Sequence, residues 1–143
     1  IDEYESATRS YFYTAERSES ISDTITNHLW TGAIGLMYPS DYGYSTSASD
    51  VECDTVEMYN WDGSGNVENC RNNSWLFDNQ WWQWTLTPYT GGADSIIFID
   101  TSGYVGESLT EDYNTARLVL YLNPDVKIVD GKGTDQEPYI LGY

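Results

Sequence analysis

Positive charge is what this sequence most lacks. Four arginines and two lysines stand against 23 acidic residues, leaving a net charge of −17 over 143 residues. Phosphates would be repelled by such a chain, which excludes nucleic acid as a partner. Anionic membrane surfaces are disfavoured for the same reason. No run of 18 or more apolar residues occurs, so direct membrane insertion is not expected. Histidine occurs once, at His28, and leaves at most one imidazole base. There is no Gly-x-Ser-x-Gly elbow, and no glycine-rich loop leads into Lys-Ser/Thr. The chain is therefore expected not to be an enzyme. The abundant carboxylates do not alter that reading, because a glycosidase needs two of them at a fixed separation that a sequence does not display. In a chain this acidic the charge itself reads first as a solubility device.

Cysteine is nearly as scarce. Cys53 and Cys70 are 17 positions apart, and with a remote His28 they cannot build a structural zinc site. Either a disulfide closes the loop between them or two thiols lie buried; the disulfide is the expectation, with an oxidising, extracytoplasmic compartment as its consequence. Inside that loop Asp62-Gly63-Ser64-Gly65-Asn66 reads as a turn, since it lacks the ligand spacing and closing Glu of a calcium loop. No cofactor is expected. Calcium is compatible with the acidity but indicated by no motif. Asn72-Asn73-Ser74 matches the short N-glycosylation pattern, which is common by chance.

Phenylalanine is also sparse, with three residues against 13 Tyr and six Trp. Tyr and Trp combine an apolar body with a polar group, so they serve in cores and at binding surfaces alike. Repeats, low-complexity tracts and Pro/Gly-rich linkers are absent, and residues 1–143 read as one domain. No signal peptide is recognisable and the first residue is Ile1, so the chain reads as a mature or excised fragment whose anchor is missing.

Tyr11-Phe12-Tyr13 suits a strand. Ser18–His28 is a weak helix candidate, with Ile21 and Ile25 on one face. Ile34–Tyr38 reads as a buried strand stopped by a turn at Pro39, and Ser40–Ser49 as a surface loop. Cys53–Tyr89 is irregular and rich in Trp. Ile96–Ile99, Tyr104–Val105 and Leu118–Leu122 read as strands, with Gly103 turning a hairpin between the first two. A further turn falls at Asp130–Gly133, and Tyr139–Leu141 forms a last short strand. Short strands, a weak helix and long aromatic-rich loops indicate an α+β or mainly β domain.

Aromatic loops flanked by Ser, Gly and Asn are good recognition surfaces, because Tyr and Trp supply rigid contact area at low entropic cost. The segment Trp81–Tyr113 has this mixture, with Ser102, Glu107 and Asp112 also placed on its loops. The candidate ligand-binding residues are Trp81, Trp82, Tyr89, Asp94, Tyr104 and Tyr113, with Tyr42 and Tyr44 as the next place to look. Trp81 and Trp82 are adjacent, so one is expected buried and the other exposed. Trp84 is expected in the core. Arg117, in an apolar stretch, is expected to be paired or bonded to loop carbonyls. The bland alternative is that the tyrosines only cover the edge of the core.

Several strings occur together in a familiar order. They are Thr8-Arg9-Ser10-Tyr11, Thr14–Ser20, Gly35-Leu36-Met37-Tyr38-Pro39-Ser40-Asp41-Tyr42-Gly43-Tyr44, Asn73-Ser74-Trp75-Leu76, Gln83–Pro88, Ser102–Val105, Val119–Leu122, Asp125–Ile128 and Gly131–Thr134. From Thr8 to Leu141 the chain resembles a domain common in surface proteins of gut Firmicutes and Mollicutes-like bacteria, often the C-terminal head of prepilin-like proteins. That family is similar to the formylglycine-generating-enzyme type of C-type-lectin-like fold. The resemblance implies an α+β, C-type-lectin-like single domain. It implies that Trp84-Thr85 matches a core signature and Arg117 the arginine of a closing strand. Thr115-Ala116-Arg117-Leu118 departs from the usual Gly-Val-Arg-Pro, and the catalytic cysteine pair has no counterpart. The expected function is a non-catalytic adhesion or recognition module on the bacterial cell surface, binding a glycan or protein of another cell. The alternative is the head of a pilus or filament subunit whose main partner is another copy of itself.

Overall fold

Thr8 opens the first helix. Its Oγ1 accepts the Tyr11 amide at 3.3 Å and its carbonyl accepts that of Phe12 at 3.1 Å, which satisfies donors that a helix start leaves over. Helix α1 spans Arg9–Arg17. The computed structural model describes residues 3–17, 34–46, 51–64, 67–120, 122–134 and 136–143; the expected helix Ser18–His28 lies outside them. Tyr11-Phe12-Tyr13, expected as a strand, is helical. The helical period explains why: Arg9 and Phe12, three apart, are both buried, while Tyr11 and Tyr13 remain exposed. The Tyr13 ring lies 4.3 Å from the Arg17 guanidinium, one turn further on.

Strand β1 is only Gly35–Leu36. The turn expected at Pro39 is instead the start of helix α2, Pro39–Tyr44. Proline fits the first helical position because its missing N–H would have no partner there. Asp41 Oδ2 caps the same end by accepting the Tyr38 amide at 2.8 Å. The stretch expected as a surface loop is therefore structural: Ser40, Tyr42, Gly43, Ser45 and Thr46 are buried. Its small residues let two helices meet closely. A Cβ on Gly43 would fall 2.6 Å from the Cβ of Arg9. Arg9 is buried but fully engaged, donating from Nε to Asp54 (2.8 Å) and from Nη1 to the Gly43 carbonyl (3.1 Å) and Thr46 Oγ1 (2.6 Å). It ties α1 and α2 to the 3-10 turn at Val51–Asp54.

The main sheet contains β2 (Gln83–Pro88), β3 (Ser95–Ile99), β4 (Val105–Leu109) and β5 (Thr115–Ala116), in the order β4-β3-β2-β5. Pairing is antiparallel except between β2 and β5. The β3–β4 turn falls at Gly103 as expected. Its φ is +90°, a region that favours glycine, and Asp100 Oδ1 accepts the Ser102 and Tyr104 amides. One face of the sheet carries Ile97, Ile99 and Val105 into a core with Phe12, Met37, Tyr42, Met58 and Trp61. Helix α3 (Glu68–Asn72) brings Cys70 to that core, and a disulfide joins it to Cys53. Asp62 Oδ1 accepts the Ser64 amide and Gly63 has φ +104°, so this part of the loop is a turn; Gly65 and Asn66 lie outside the described residues.

Two further placements differ from expectation. On β2 the residues facing the core are Gln83, Thr85 and Thr87, while Trp84 is half-buried on the opposite side. Alternation decides this, since a strand must send neighbours to opposite faces. Thr85 is accommodated because its Oγ1 donates to the Ile97 carbonyl at 2.6 Å. The second difference is at Leu118–Leu122. Only Leu118–Val119 forms a strand, β6, which pairs with β1 rather than joining the main sheet, so it builds no common platform with β3. Tyr121 lies outside the described residues. Farther on, β7 (Lys127–Asp130) and β8 (Ile140–Gly142) form an antiparallel hairpin. Short helices packed on a mainly antiparallel sheet, with two small accessory ladders, make an α+β architecture.

Candidate functional site: the aromatic end of strand β2

Large aromatic side chains belong inside unless something else uses them, and Trp61 obeys that rule by being fully buried. Trp75, Trp81 and Trp82 do not. Their exposures are 77%, 59% and 47%. The expectation that one of Trp81 and Trp82 would be buried fails: both are exposed in the segment that precedes β2. Trp82 leans on Phe98, with ring centroids 5.2 Å apart, and Trp81 has no ring partner among the described residues. Tyr113 is fully exposed.

The backbone beneath these rings is held firmly. Thr115 donates to the Trp82 carbonyl from both its amide and its Oγ1, each at 2.7 Å. That places Tyr113, two residues earlier, at the Trp82 end of β2. Arg117 steadies the approach to Trp81. Its Nη1 donates to the Leu76 carbonyl at 2.8 Å and its Nη2 to Asp78 Oδ2 at 2.9 Å. Asp78 Oδ1 in turn accepts the Gln80 amide at 2.8 Å. The arginine thus acts on the aromatic end through the loop that carries it.

The remaining candidates lie elsewhere. Tyr89 and Asp94 sit at the opposite end of β2, where the Tyr89 amide donates to Ser95 and the Asp94 carbonyl accepts from Thr110. Tyr89 and Tyr104 are half-buried members of a file of rings that runs Tyr89, Tyr4, Tyr59, Tyr104, Phe98, Trp82, with successive centroids 4.9–6.2 Å apart. Tyr104 lies over Gly106, where a Cβ would come within 2.0 Å of its ring. Burial and a hydrogen bond to Tyr4 push its hydroxyl pKa up. Ser102 and Asp112 serve their own turns, Asp112 Oδ2 accepting from Ser108 Oγ and the Leu109 amide. Glu107 lies within β4. Tyr42 cannot be a surface group: it is fully buried, and its hydroxyl donates to the Gly103 carbonyl. Tyr44 is half exposed but engaged by Arg9 and Tyr13.

No family model, curated protein or solved structure matches this chain. The site therefore rests on its own chemistry. Among the described residues no three His, Cys, Asp or Glu side chains group to hold a metal ion, and no helix is long and apolar enough to cross a membrane. What the arrangement offers is flat aromatic area fixed at one end of a strand. Trp75 was not singled out from the sequence as a contact residue. Its only signal was its Trp identity in a segment poor in aliphatic partners.

Proposed function

We propose that this chain is a non-catalytic recognition module of a bacterial cell surface, working outside the cell, and that it binds an uncharged glycan or protein surface through Trp81, Trp82 and Tyr113. The observation that carries the reading is that each of these three large rings is exposed near the Trp82 end of β2, where Thr115 anchors the backbone. Exposed aromatic area on so acidic a domain is a binding feature rather than a solubility feature. Indole and phenol faces stack on the C–H faces of sugars, and the net charge of −17 disfavours polyanionic ligands. The Cys53–Cys70 disulfide supports an oxidising compartment.

The C-type-lectin-like fold belongs to the same proposal. It is supported by Thr85 facing the core from an interior strand of the sheet and by Arg117 bracing a loop, while Trp84 lies on the far face and Arg117 stands between β5 and β6 rather than in a strand. The second reading, a filament-subunit head, is favoured by one feature, the apolar and exposed C-terminal hairpin.

A glycan array and whole-cell binding assay comparing wild type with a Trp81→Ala/Trp82→Ala/Tyr113→Ala variant tests the reading. The variant should keep its circular dichroism and lose binding by more than about tenfold, since interface aromatics commonly contribute 2 kcal/mol or more in total. Bound glycans should be recovered uncleaved by mass spectrometry. Equal binding by both proteins, or cleaved glycan, would overturn it.

A further inference from the structure

From Leu118 onward the chain behaves unlike the rest of the molecule. Leu118, Leu120, Leu122, Ile128, Val129 and Ile140 are each at least half exposed. Every residue of β7 is exposed, and among the described residues no third strand joins the β7–β8 hairpin. Yet the hairpin is well formed. Its tip is closed by bonds between Thr134 and Glu137 and between the Lys132 amide and the Glu137 carbonyl. Gly131 and Gly133 take positive φ, and a Cβ on Gly131 would strike the Pro138 carbonyl at 2.1 Å. A lone two-stranded hairpin is marginal in water, and a strand stripe of leucines facing solvent is an association surface.

We propose that residues 118–143 form a self-association arm that docks against the same arm of a second copy of this chain, giving a two-fold symmetric dimer. Two observations select a second copy. The first is charge. Another copy carries −17, so contact is tolerable only where the surface is least acidic. The arm holds both lysines of the chain and just four of its 23 acidic residues. The four arginines, by contrast, are all engaged in the body. Lys127 has no ion-pair partner among the described residues, whereas Lys132 pairs with Glu137 at 2.6 Å. Arm against arm therefore brings both lysines of each copy, and only four of its acidic residues, to the contact. The second is area. With Tyr139 and Tyr143 added, at about 150–250 Å² for a fully exposed aromatic, the arm displays on the order of 1,000 Å² of apolar side chain, divided between its two faces because neighbours such as Ile128 and Val129 point opposite ways. A stable interface buries roughly 800 Å² per partner. The outer edges of β7 and β8 can add main-chain pairing between the copies.

This inference rests neither on glycan binding nor on the filament reading, which calls for open-ended growth, so each of the three fails separately. Sedimentation velocity of the 143-residue chain over a roughly hundredfold concentration range reads it out. Wild type should pass from monomer to dimer as concentration rises. The dimer should tighten with added salt, because screening weakens the repulsion between two acidic bodies. Leu120→Ser/Ile128→Ser should weaken dimerisation at least about tenfold with unchanged circular dichroism, since both positions are exposed in the monomer. Trp81→Ala/Trp82→Ala should dimerise as wild type does. A monomer at all concentrations, a dimer indifferent to the arm variant, a dimer lost with the Trp variant, or open-ended growth in place of a closed dimer would each overturn it.

Discussion

Gln83 occupies one of the most buried positions in the chain, on the core face of β2, and neither polar atom of its amide has a hydrogen-bond partner among the described residues. A buried amide without partners forfeits its hydration and recovers nothing, at a cost of about 1–3 kcal/mol. Gln83→Met keeps the volume and removes the polar atoms. We expect this variant to raise the urea midpoint, reflecting a gain of about 1 kcal/mol in stability once packing adjustments are included. An equal loss of stability instead would mean that the amide is satisfied. Trp84, its neighbour, illustrates the other side of the same alternation. It had the composition of a core residue, but with Gln83 and Thr85 turned inward it is left on the far face, opposite Phe98 in the β2–β3 register. Residue type ranks candidates for the interior; strand parity chooses among them.

At the scale of elements, the α1–α2–β2 junction holds a titratable group. The Glu16 side chain is buried, accepts from Thr87 Oγ1 at 3.3 Å, and lies 3.2 Å from Arg17, which also reaches Asp41. Burial outweighs the hydrogen bond with Ser40 and the charge of Arg17, raising its pKa from 4.5 to about 7. A raised acid pKa means that the native state holds a proton the unfolded chain releases. Its contribution to stability is complete below about pH 4.5 and is lost as pH rises to about 7, a change of about 3 kcal/mol. Glu16→Gln keeps an acceptor for Thr87 and removes the titration. In urea melts the variant should be more stable than wild type at pH 8, with the gap closing towards pH 5. Parallel stability–pH curves for the two proteins would show that Glu16 does not titrate in this range. Comparing the two proteins cancels the general self-repulsion of so acidic a chain. The same junction shows why the strand expected at residues 11–13 is a helix. Three aromatics favour a strand locally, but Thr8 caps a helix, and Phe12 with Arg9 gives it a buried stripe.

For the molecule as a whole, the disulfide is the covalent staple between the turn that pairs with Arg9 and the helix beside the β3–β4 turn; Arg71 of that helix bonds the Ser102 carbonyl. Closing a loop of this length is worth about 3 kcal/mol in the chain-entropy description. Both sulfurs lie in the core, so reduction of the native protein should be slow, and fully reduced protein should melt well below the oxidised form. An unchanged midpoint, with two free thiols verified by titration, would remove the bridge from the stability account. The sequence alone determined what depends on identity and local conformation: the acidity, the compatibility of two cysteines with one bridge, the hairpin turn at Gly103 and the strand Ile96–Ile99, which the fold starts one residue earlier. It also put Trp81, Trp82 and Tyr113 among six candidate contact residues, because their size and chemistry are intrinsic. Only the tertiary structure decided which rings are displayed. Tyr89 and Tyr104 have the same side chain as Tyr113, yet they are half-buried within a file of rings, and Asp94 stands at the other end of β2. Pairing partners decided the rest. Leu118–Leu122 reads as a strand by composition, but only Leu118–Val119 pairs, with the small β1 ladder, and Leu118, Leu120 and Leu122 are exposed. Burial is a property of what the fold places opposite a residue, and that contact is made by chain segments distant in sequence.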